Sequence, residues 1–376
     1  MARTIHDLGP RHSDTEWRRA QGLLQASETA IGHIDTGLFP HKTLGFADDG
    51  TPPGNILLHI GKNLFDPKPN NARPVTDLSI ASGKIAKASE YPDHGVKTLS
   101  IILANRPEEL IGVAPGAKII PYRIANGPVF IGRADTRGIG AAMEHAMALP
   151  SPPRVFSISM GNPGFTGLSE LFRPILGGNP GMAAQTVEAV NRAYDLGIVT
   201  VAAGGQVINN VSYPARFART IAVGGITTDE THYPLGGYDN ADLIDVWAYA
   251  SNINRAAGAR LANGSIQQTH ADDPGSDDSE PSGTSYAAPQ VSAAAALWVT
   301  RWARELAALA EPWMVVEAFR HALRSSARRD RIRLSRHRGG TIIVRRLDIE
   351  SLLRRPPEPN APLSKRSRSS AHGSWL

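Results

Sequence analysis

The sequence predicts an α/β fold with three layers, in which helices cover both faces of a doubly wound, mostly parallel sheet. Short apolar runs alternate with longer segments of helical composition along most of the 376 residues, and this alternation is typical of parallel sheets. Several apolar runs stop at glycine or another turn-forming residue, as buried parallel strands do. The chain is 41% hydrophobic and 20% charged, which indicates a globular protein with a sizeable core.

The predicted elements follow one another in a regular order. Strands are expected at 29–34, 118–124, 155–161, 198–205, 220–225 and 245–248, and helices at 96–104, 137–149, 183–196, 290–306 and 313–325. In such a sheet, functional side chains collect at the carboxyl ends of strands and at the N-termini of helices. Those positions are therefore where a site is sought.

Composition divides the chain into three parts. Residues 1–27 form a polar N-terminal extension, 28–353 a single domain, and 354–376 a Pro-, Ser- and Arg-rich tail that is predicted to be disordered. From Arg320 onward the chain has 15 basic and 4 acidic residues, a net charge of +11. Such a tail is compatible with nucleic-acid or membrane contact, but no aromatic residue follows its arginines before Trp375, which favours a solvated tail and argues against nucleic-acid binding.

Composition also excludes several chemistries and indicates a compartment. The absence of cysteine excludes disulfides, a thiol nucleophile and Cys-ligated zinc. Residues 1–28 lack the apolar core of a secretion signal, and no apolar run reaches the roughly 20 residues of a membrane-spanning helix. We therefore expect a cytoplasmic protein without membrane contact.

The stretch Gly283-Thr284-Ser285 lies between an acidic loop and an Ala-rich segment of helical composition. This order places the hydroxyl of Ser285 at or just before the N-terminus of a helix. Two interpretations are open at this point. Ser285 either caps the helix, as serine often does, or it is a nucleophile whose developing negative charge the helix N-terminus favours.

A serine nucleophile needs a base within hydrogen-bond reach, and that base needs a carboxylate to orient it. Asp35 follows the first predicted strand and His94 begins a predicted helix, so the order Asp, His, Ser is one of the known orders of such a triad. Asp35 is otherwise a turn residue and His94 an ordinary residue of a helix start. His33 with Asp35 hints at a metal site, but no spaced ligand set accompanies them, so we expect no metal there.

The segment Asp35-Thr36-Gly37 also has the sequence found in aspartic proteases. Those enzymes need two such carboxylates. The other Asp-Thr pair, Asp135-Thr136, continues with Arg137 instead of glycine. The aspartic protease interpretation is therefore disfavoured.

Taken together, these segments resemble the subtilisin-type serine proteases. The resemblance rests on Asp35-Thr36-Gly37, on Asp93-His94-Gly95 and on the serine motif from Gly283 to Pro289, in that order. It extends over about 28–353 and includes the linking segments 112–115, 213–215, 221–224, 245–248 and 347–353.

The resemblance implies a serine endopeptidase that forms an acyl-enzyme, in which Ser285 attacks, His94 transfers the proton and Asp35 orients His94. Protein or peptide substrates would pair with the backbone of Ser159, Met160 and Gly161, with 127–132 as the opposite edge. Ala203 and Gly204 would form part of the wall of the primary pocket. No acidic residue is visible in these segments, so selection of a charged side chain is not expected.

One position departs from the family pattern. Gly205 stands where related enzymes place an asparagine whose amide binds the oxyanion, and Gln206 follows it. Loss of one such donor costs about 10²–10³ in turnover. Three explanations are open. Gln206, with Gly205, replaces the missing oxyanion donor; a neighbouring asparagine, Asn209 or Asn210, replaces it; or the enzyme is slow. A subtilisin-like fold retained as a binding or regulatory module is the contrasting hypothesis.

The sequence gives less information on how the protein matures and which cofactors it binds. About 27 residues precede the first strand, too few for a folded prodomain. This indicates an intracellular enzyme, one that folds without a prodomain, or one that a partner or chaperone helps to mature. The chemistry requires no cofactor. Asp48-Asp49-Gly50 and the loop 272–280 offer oxygen ligands for calcium, although such acidic loops are more often simply solvated.

Overall fold

The computed structural model describes residues 29–65, 91, 93–106, 110–130, 136–162, 182–205, 211–226, 241–251, 253–261, 263, 265–271, 283–333 and 341–363. The described strands are β1 (Ala30–Asp35), β2 (Lys62–Asn63), β3 (Asn105–Arg106), β4 (Leu110–Ile111), β5 (Lys118–Arg123), β6 (Val155–Ile158), β7 (Val199–Ala203), β8 (Ile221–Ile226), β9 (Val246–Tyr249), β10 (Arg255–Arg260), β11 (Ile266–Ala271), β12 (Arg328–Arg333) and β13 (Thr341–Arg346). The described helices are α1 (His94–Leu103), α2 (Arg137–Met147), α3 (Ala184–Asp195), α4 (Thr284–Arg301), α5 (Ala303–Ala307), α6 (Met314–Ser326) and α7 (Ile349–Arg354).

Nine strands form the main sheet, in the order β12-β13-β9-β8-β7-β6-β1-β5-β2. Every pair is parallel except the β12–β13 hairpin at one edge. The parallel strands are apolar along nearly their whole length because both faces of the sheet are covered. The predicted fold class, a mostly parallel sheet with helices in an α/β arrangement, is confirmed.

The direction of winding reverses at β1. The chain passes from β1 through α1 to β5 on one side, and then returns through α2 to β6 on the other side of β1. Because such crossovers are right-handed, α1 lies on one face of the sheet and α2 and α3 lie on the other. Ligand sites in open α/β sheets lie at this kind of reversal, outside the carboxyl ends of the strands.

Helix α4 packs against α1 and runs across β6, β7, β8 and β9. Its residues from Tyr286 to Val299 are buried, so it is a central helix without a solvent face. A run of small side chains, Ala293–Ala296, lets the helix lie close to the strands, and Trp298 Nε1 donates a hydrogen bond to the carbonyl of Arg355. This packing fixes the start of α4 above the end of β6.

Several elements of the structure differ from the sequence prediction. Helix α4 begins at Thr284, six residues before the predicted start, although Pro289 lies inside it. The carbonyl of Tyr286 accepts a hydrogen bond from the side chain of Gln290, which supports the backbone in the turn that contains the proline. The β10–β11 hairpin and strand β12 were not predicted; β11 is polar and β12 is rich in arginine, so neither shows the apolar run of a buried strand.

Among the described residues, no helix is both long enough and apolar enough to cross a membrane.

A buried group of charges connects α6 to the sheet. The guanidinium of Arg320 is 2.6 Å from Glu317 and 3.5 Å from Asp245, and all three side chains are almost fully buried. Burial would lower the pKa of Arg320, but the two carboxylates raise it above its ordinary value. Tyr194 on α3 donates a hydrogen bond to Glu317, so the group joins three elements of the fold.

Replacing Arg320 with methionine should remove the cation that pairs with the buried Glu317 and leave the buried Asp245 with Arg324, at 3.6 Å. We expect Arg320→Met to lower the free energy of unfolding by about 3–5 kcal/mol, measured by urea denaturation. Arg354→Met is the matched control, because Arg354 is exposed where it pairs with Glu350 and should cost no more than about 1 kcal/mol. Equal effects of the two variants would contradict a structural role for the buried group.

Candidate active site

Asp35 and His94 meet where the end of β1 faces the start of α1. Nδ1 of His94 is 2.7 Å from Oδ1 of Asp35, and both side chains are buried. Because an ionised carboxylate only accepts, the proton of this bond belongs to His94 Nδ1, which leaves Nε2 as the basic nitrogen. The backbone N–H of Thr36 also donates to Asp35 Oδ1, at 2.7 Å.

The glycine after His94 has a steric reason. A Cβ on Gly95 would lie 2.1 Å from the carbonyl oxygen of Gly37, because the first turn of α1 rests directly on the backbone after β1. Gly95 N–H donates to the hydroxyl of Thr36 at 2.9 Å. This contact brings the imidazole of His94 to the carboxylate of Asp35, and a side chain at position 95 would separate them.

The electrostatics favour an ionised Asp35. Burial alone would raise the pKa of Asp35, since the charged form loses solvation. The charge and the hydrogen bond of His94 oppose this, together with His33 and the N–H of Thr36, and they hold the pKa of Asp35 below its ordinary value. The carboxylate can therefore stabilise a positive charge on His94.

Ser285 is the second residue of α4 and does not cap it. The N-cap is Gly283, in an extended conformation, and the hydroxyl of Ser285 donates to the carbonyl of Ser159 at 2.9 Å. A hydroxyl has one proton, so in this structure Ser285 does not donate to His94. The ring of Tyr286, the next residue, lies 6.1 Å from the ring of His94, so the start of α4 and the start of α1 face each other.

A pocket of about 50 Å³ opens beside Ser285. Its lining is uncharged and comes from five segments: Pro128, Val129, Ser159, Met160, Gly161, Ala203, Gly205, Ser212, Thr284 and Ser285. The structure thus brings the predicted Ser159, Met160, Gly161 and Ala203 to one pocket with Ser285. Gly204 is not among these lining residues; its N–H donates to the carbonyl of Val223 on β8, and its carbonyl accepts from the N–H of Ser212.

The sequence prediction places a peptide between the segments 127–132 and 159–161, which form the two edges of the cleft, but the structure shows these edges in contact. Gly161 N–H donates to the carbonyl of Pro128, and Phe130 N–H donates to the carbonyl of Gly161, both at 2.9 Å. The segments 128–130 and 159–161 therefore pair directly with each other at this level. The two backbones carry complementary donors and acceptors, which is why they close on each other.

Gly205 occupies a backbone conformation that excludes other residues. Its φ is +93°, and a Cβ built on it would lie 2.0 Å from Oγ of Ser212. Its N–H donates to the hydroxyl of Thr284 at 3.0 Å. An asparagine at this position would be strained at this φ and would overlap Ser212 unless one of the two residues shifted, which fits the presence of glycine here.

Sequence reasoning missed Ser212. Its backbone is fixed by a hydrogen bond from its N–H to the carbonyl of Gly204, and its side chain stands in the space beside Gly205. Only its place before Tyr213-Pro214 could have drawn attention to it. Gln206, Asn209 and Asn210, the predicted substitutes for the oxyanion donor, lie outside the described residues.

In the described part of the chain, no group of three or more His, Cys, Asp or Glu side chains is arranged so that it could hold a metal ion. Asp48 pairs with Lys42 at 2.7 Å, and Asp49 accepts from the N–H of Thr51. The loop 272–280 lies outside the described residues, so calcium binding stays a prediction.

Comparison with known proteins agrees with this geometry. The family model described as "Subtilase family" matches residues 27–343. The chain belongs to the subtilase family.

Among curated proteins, this subtilase is similar to Subtilisin BL and Subtilisin Savinase of Lederbergia lenta. It is 28% identical to each over 206 residues, which is 54% of this chain and 62% of each relative. The alkaline protease of Alkalihalobacillus alcalophilus is also 28% identical over 206 residues, or 44% of its length. The alignment therefore spans less than two thirds of these relatives, whose names and family support a serine-type peptidase.

Two solved structures share the fold. A protease from Pseudoalteromonas arctica has a TM-score of 0.65 at 18% identity, covering 93% of this chain and 96% of its own. The prenylagaramide maturation protease PagA has a TM-score of 0.51 at 16% identity, covering 84% of this chain and 88% of its own. At these identities the likeness concerns the fold alone.

The conflict between a side chain at position 205 and Ser212 can be measured as a coupling in this subtilase. We expect Gly205→Asn to lower the free energy of unfolding by about 1–3 kcal/mol, because the new atoms overlap Ser212 Oγ. In a Ser212→Gly background the same substitution should cost clearly less, which a double-mutant cycle by urea denaturation would detect. Additive effects of the two substitutions would show that Ser212 does not occupy this space.

Proposed function

We propose that this chain is a serine endopeptidase that hydrolyses peptide bonds of protein or peptide substrates through an acyl-enzyme. The observation that carries the proposal is the buried Asp35–His94 hydrogen bond of 2.7 Å, opposite the start of α4 where Ser285 lies. An oriented imidazole, a serine at a helix N-terminus and a pocket beside that serine are the parts that acyl transfer requires. Membership of the subtilase family supports the same reaction class.

In the proposed reaction, the hydroxyl of Ser285 first exchanges its bond to Ser159 for one to Nε2 of His94. Catalytic hydrogen bonds often form only when substrate is bound. The oxygen then attacks the scissile carbonyl while its proton passes to Nε2, and the imidazolium is stabilised by Asp35. When the C–N bond breaks, His94 returns the proton to the leaving amine, and a water repeats the sequence to release the acyl group.

The oxyanion of the tetrahedral intermediate needs donors that are already in place. The backbone N–H of Ser285, in the first turn of α4, is proposed as one donor, helped by the helix dipole. Because Gly205 has no side-chain donor, we assign the second to Gln206. The hydroxyl of Ser212 supports this assignment indirectly, since it fills the space that an asparagine at position 205 would use.

The lining of the pocket bears on the substrate. All of the described lining residues are uncharged, and Met160 and Val129 supply apolar surface. A pocket of this kind gives no countercharge to a Lys, Arg, Asp or Glu side chain. We therefore propose that the residue before the cleaved bond is uncharged.

A second candidate function is a binding or regulatory module with negligible turnover. Three contacts favour it: the Ser285 hydroxyl is bonded to Ser159, Gly205 N–H is bonded to Thr284, and the two edges of the cleft are paired. The intact Asp35–His94 pair favours the enzyme instead, because a binding module has no need of a buried, oriented imidazole.

A fluorophosphonate probe separates the two functions. Attack by Ser285 would displace fluoride and leave the probe on Oγ, so we expect labelling of the native chain and none of Ser285→Ala, read by mass spectrometry. Ser325→Ala is the matched control, since Ser325 is exposed and donates to carbonyls of its own helix, and its labelling should equal that of the native chain. A folded native chain that takes up no probe would refute the enzyme.

The role of Gln206 has its own test. If its amide binds the oxyanion, Gln206→Ala should lower kcat by about 10²–10³ with little change in KM, measured on a fluorogenic peptide. Asn209→Ala and Asn210→Ala serve as controls and should leave kcat unchanged. Unchanged turnover in Gln206→Ala would remove Gln206 from the mechanism, and a loss confined to one asparagine variant would assign the donor there.

A further inference from the structure

Two polar residues stand directly behind the Asp35–His94 pair. His33 precedes Asp35 by two positions on β1, and Thr98 follows His94 by four positions on α1. Residues two apart on a strand share a face, and so do residues four apart on a helix. The same approach of α1 to β1 that joins His94 to Asp35 therefore joins Thr98 to His33, at 2.9 Å between Oγ1 and Nε2.

Thr98 also reaches the carboxylate. Its hydroxyl is 3.1 Å from Oδ2 of Asp35, the oxygen that is not shared with His94. The carbonyl of Gly95, at 3.2 Å, is a further acceptor for the same hydroxyl. All four side chains of the group are buried: His33, Asp35, His94 and Thr98.

Proton accounting assigns the direction of these bonds. The hydroxyl of Thr98 has one proton, and its neighbours Asp35 Oδ2 and the Gly95 carbonyl can only accept. If that proton goes to the carboxylate, the bond to His33 requires the proton to be on Nε2 of His33. The reverse arrangement would deprive a buried carboxylate oxygen of its donor and place a proton on Nδ1 of His33, which has no partner among the described residues.

We propose that His33 and Thr98 are positioning residues of the active site: His33 Nε2–H donates to Thr98, Thr98 donates to Asp35 Oδ2, and Oδ1 is thereby kept for His94. The inference rests on the proposed function. The two donors, Thr36 N–H on Oδ1 and Thr98 on Oδ2, hold the plane of the carboxylate and so the tilt of the imidazole that it orients. His33 acts through Thr98 and touches no reacting atom.

The charge state of His33 suits this role. Burial lowers its pKa to about 4, although the carboxylate of Asp35 acts in the opposite direction and His94 adds to the lowering. A neutral His33 offers a hydrogen bond without competing with the imidazolium of His94 for the charge of Asp35. Opposite His33 on the neighbouring strands lie the uncharged Pro121 and Ser157.

Several other charged groups on the elements packed around β1 have partners of their own. On α1, Asp93 pairs with Lys97 at 3.2 Å, and on β5 the guanidinium of Arg123 donates to the carbonyl of Thr36 and to Asn126. Further pairs are Glu144 with Arg192 across α2 and α3, His145 with Tyr122, and Arg255 of β10 over the ring of Tyr286 beside His94.

The tautomer of His33 is tested by ¹⁵N NMR of histidine-labelled, full-length Ser285→Ala protein, which cannot digest itself. The proposed chain of hydrogen bonds from His33 through Thr98 to Asp35 predicts that the buried imidazole of His33 stays neutral, with its proton on Nε2, from about pH 5 to 8. Its signals are assigned by their loss in His33→Phe, and they should shift in Thr98→Val. A proton on Nδ1, or a charged ring at neutral pH, would overturn the proposal.

The effect on the reaction is tested with Thr98→Val, which keeps the shape of the side chain, and Thr98→Ser, which restores the hydroxyl. We expect Thr98→Val to lower kcat by about 10- to 100-fold with little change in KM, and Thr98→Ser to recover most of it. The acid limb of kcat/KM should move to higher pH in Thr98→Val, because a carboxylate that loses a donor is more basic and stabilises the His94 imidazolium more.

A folded Thr98→Val protein with native kcat and an unshifted pH profile would overturn the proposal, as would a Thr98→Ser protein no better than Thr98→Val. The two experiments fail separately from the proposed function. If the native chain takes up no fluorophosphonate, the enzyme is refuted, while the NMR measurement still decides whether His33 and Thr98 hold Asp35 in this way.

Discussion

The active site depends on one backbone contact, the seating of the first turn of α1 on the turn that follows β1. The carbonyl of Gly37 lies where a side chain of Gly95 would begin, so the two backbones approach as closely as their atoms allow. This approach places an imidazole and a carboxylate at 2.7 Å in the interior, and it places Thr98 over His33 one turn deeper. Because the direction of winding reverses at β1, the carboxyl end of this strand is accessible to both α1 and α4.

Two buried groups of charge in this fold are stabilised in different ways. Around Arg320, opposite charges offset one another: Arg320 pairs with Glu317 and Asp245, and Arg324 lies 3.6 Å from Asp245. Around Asp35, a single carboxylate accepts hydrogen bonds from an imidazole, a backbone N–H and a hydroxyl. The group around Arg320 keeps its charges because they are paired, and its role is to connect elements of the fold. The group around Asp35 leaves the carboxylate free to respond when His94 gains a proton.

Much of the fold and part of the site could be read from the sequence, because parallel strands leave apolar runs and their ends leave turn residues. Asp35 and His94 were proposed from their places at a strand end and a helix start, whereas 159–161 and 203 were proposed from the resemblance to the subtilisin-type proteases. Contacts between side chains that are distant in sequence could not be predicted, because a sequence motif does not show which residues pack against it in the folded chain. Ser212 and Thr98 belong to no motif, and their importance follows only from the residues they touch: Gly205 for one, and Asp35 for the other. The helix predicted at 290–306 began six residues too late, since α4 starts at Thr284 and accommodates Pro289 inside it.

The pairing of the two cleft edges has a consequence for affinity. In the proposed function, a peptide that pairs with the backbone N–H and carbonyl of Gly161 would replace the bonds that Pro128 and Phe130 already make with it, so its backbone exchanges hydrogen bonds there and adds few. An exchange of this kind contributes little net free energy, since each bond formed is offset by one broken. Selection among peptides then rests on side chains and on how readily a segment becomes extended, and compact, well-ordered regions of a folded protein would be poor competitors for the cleft.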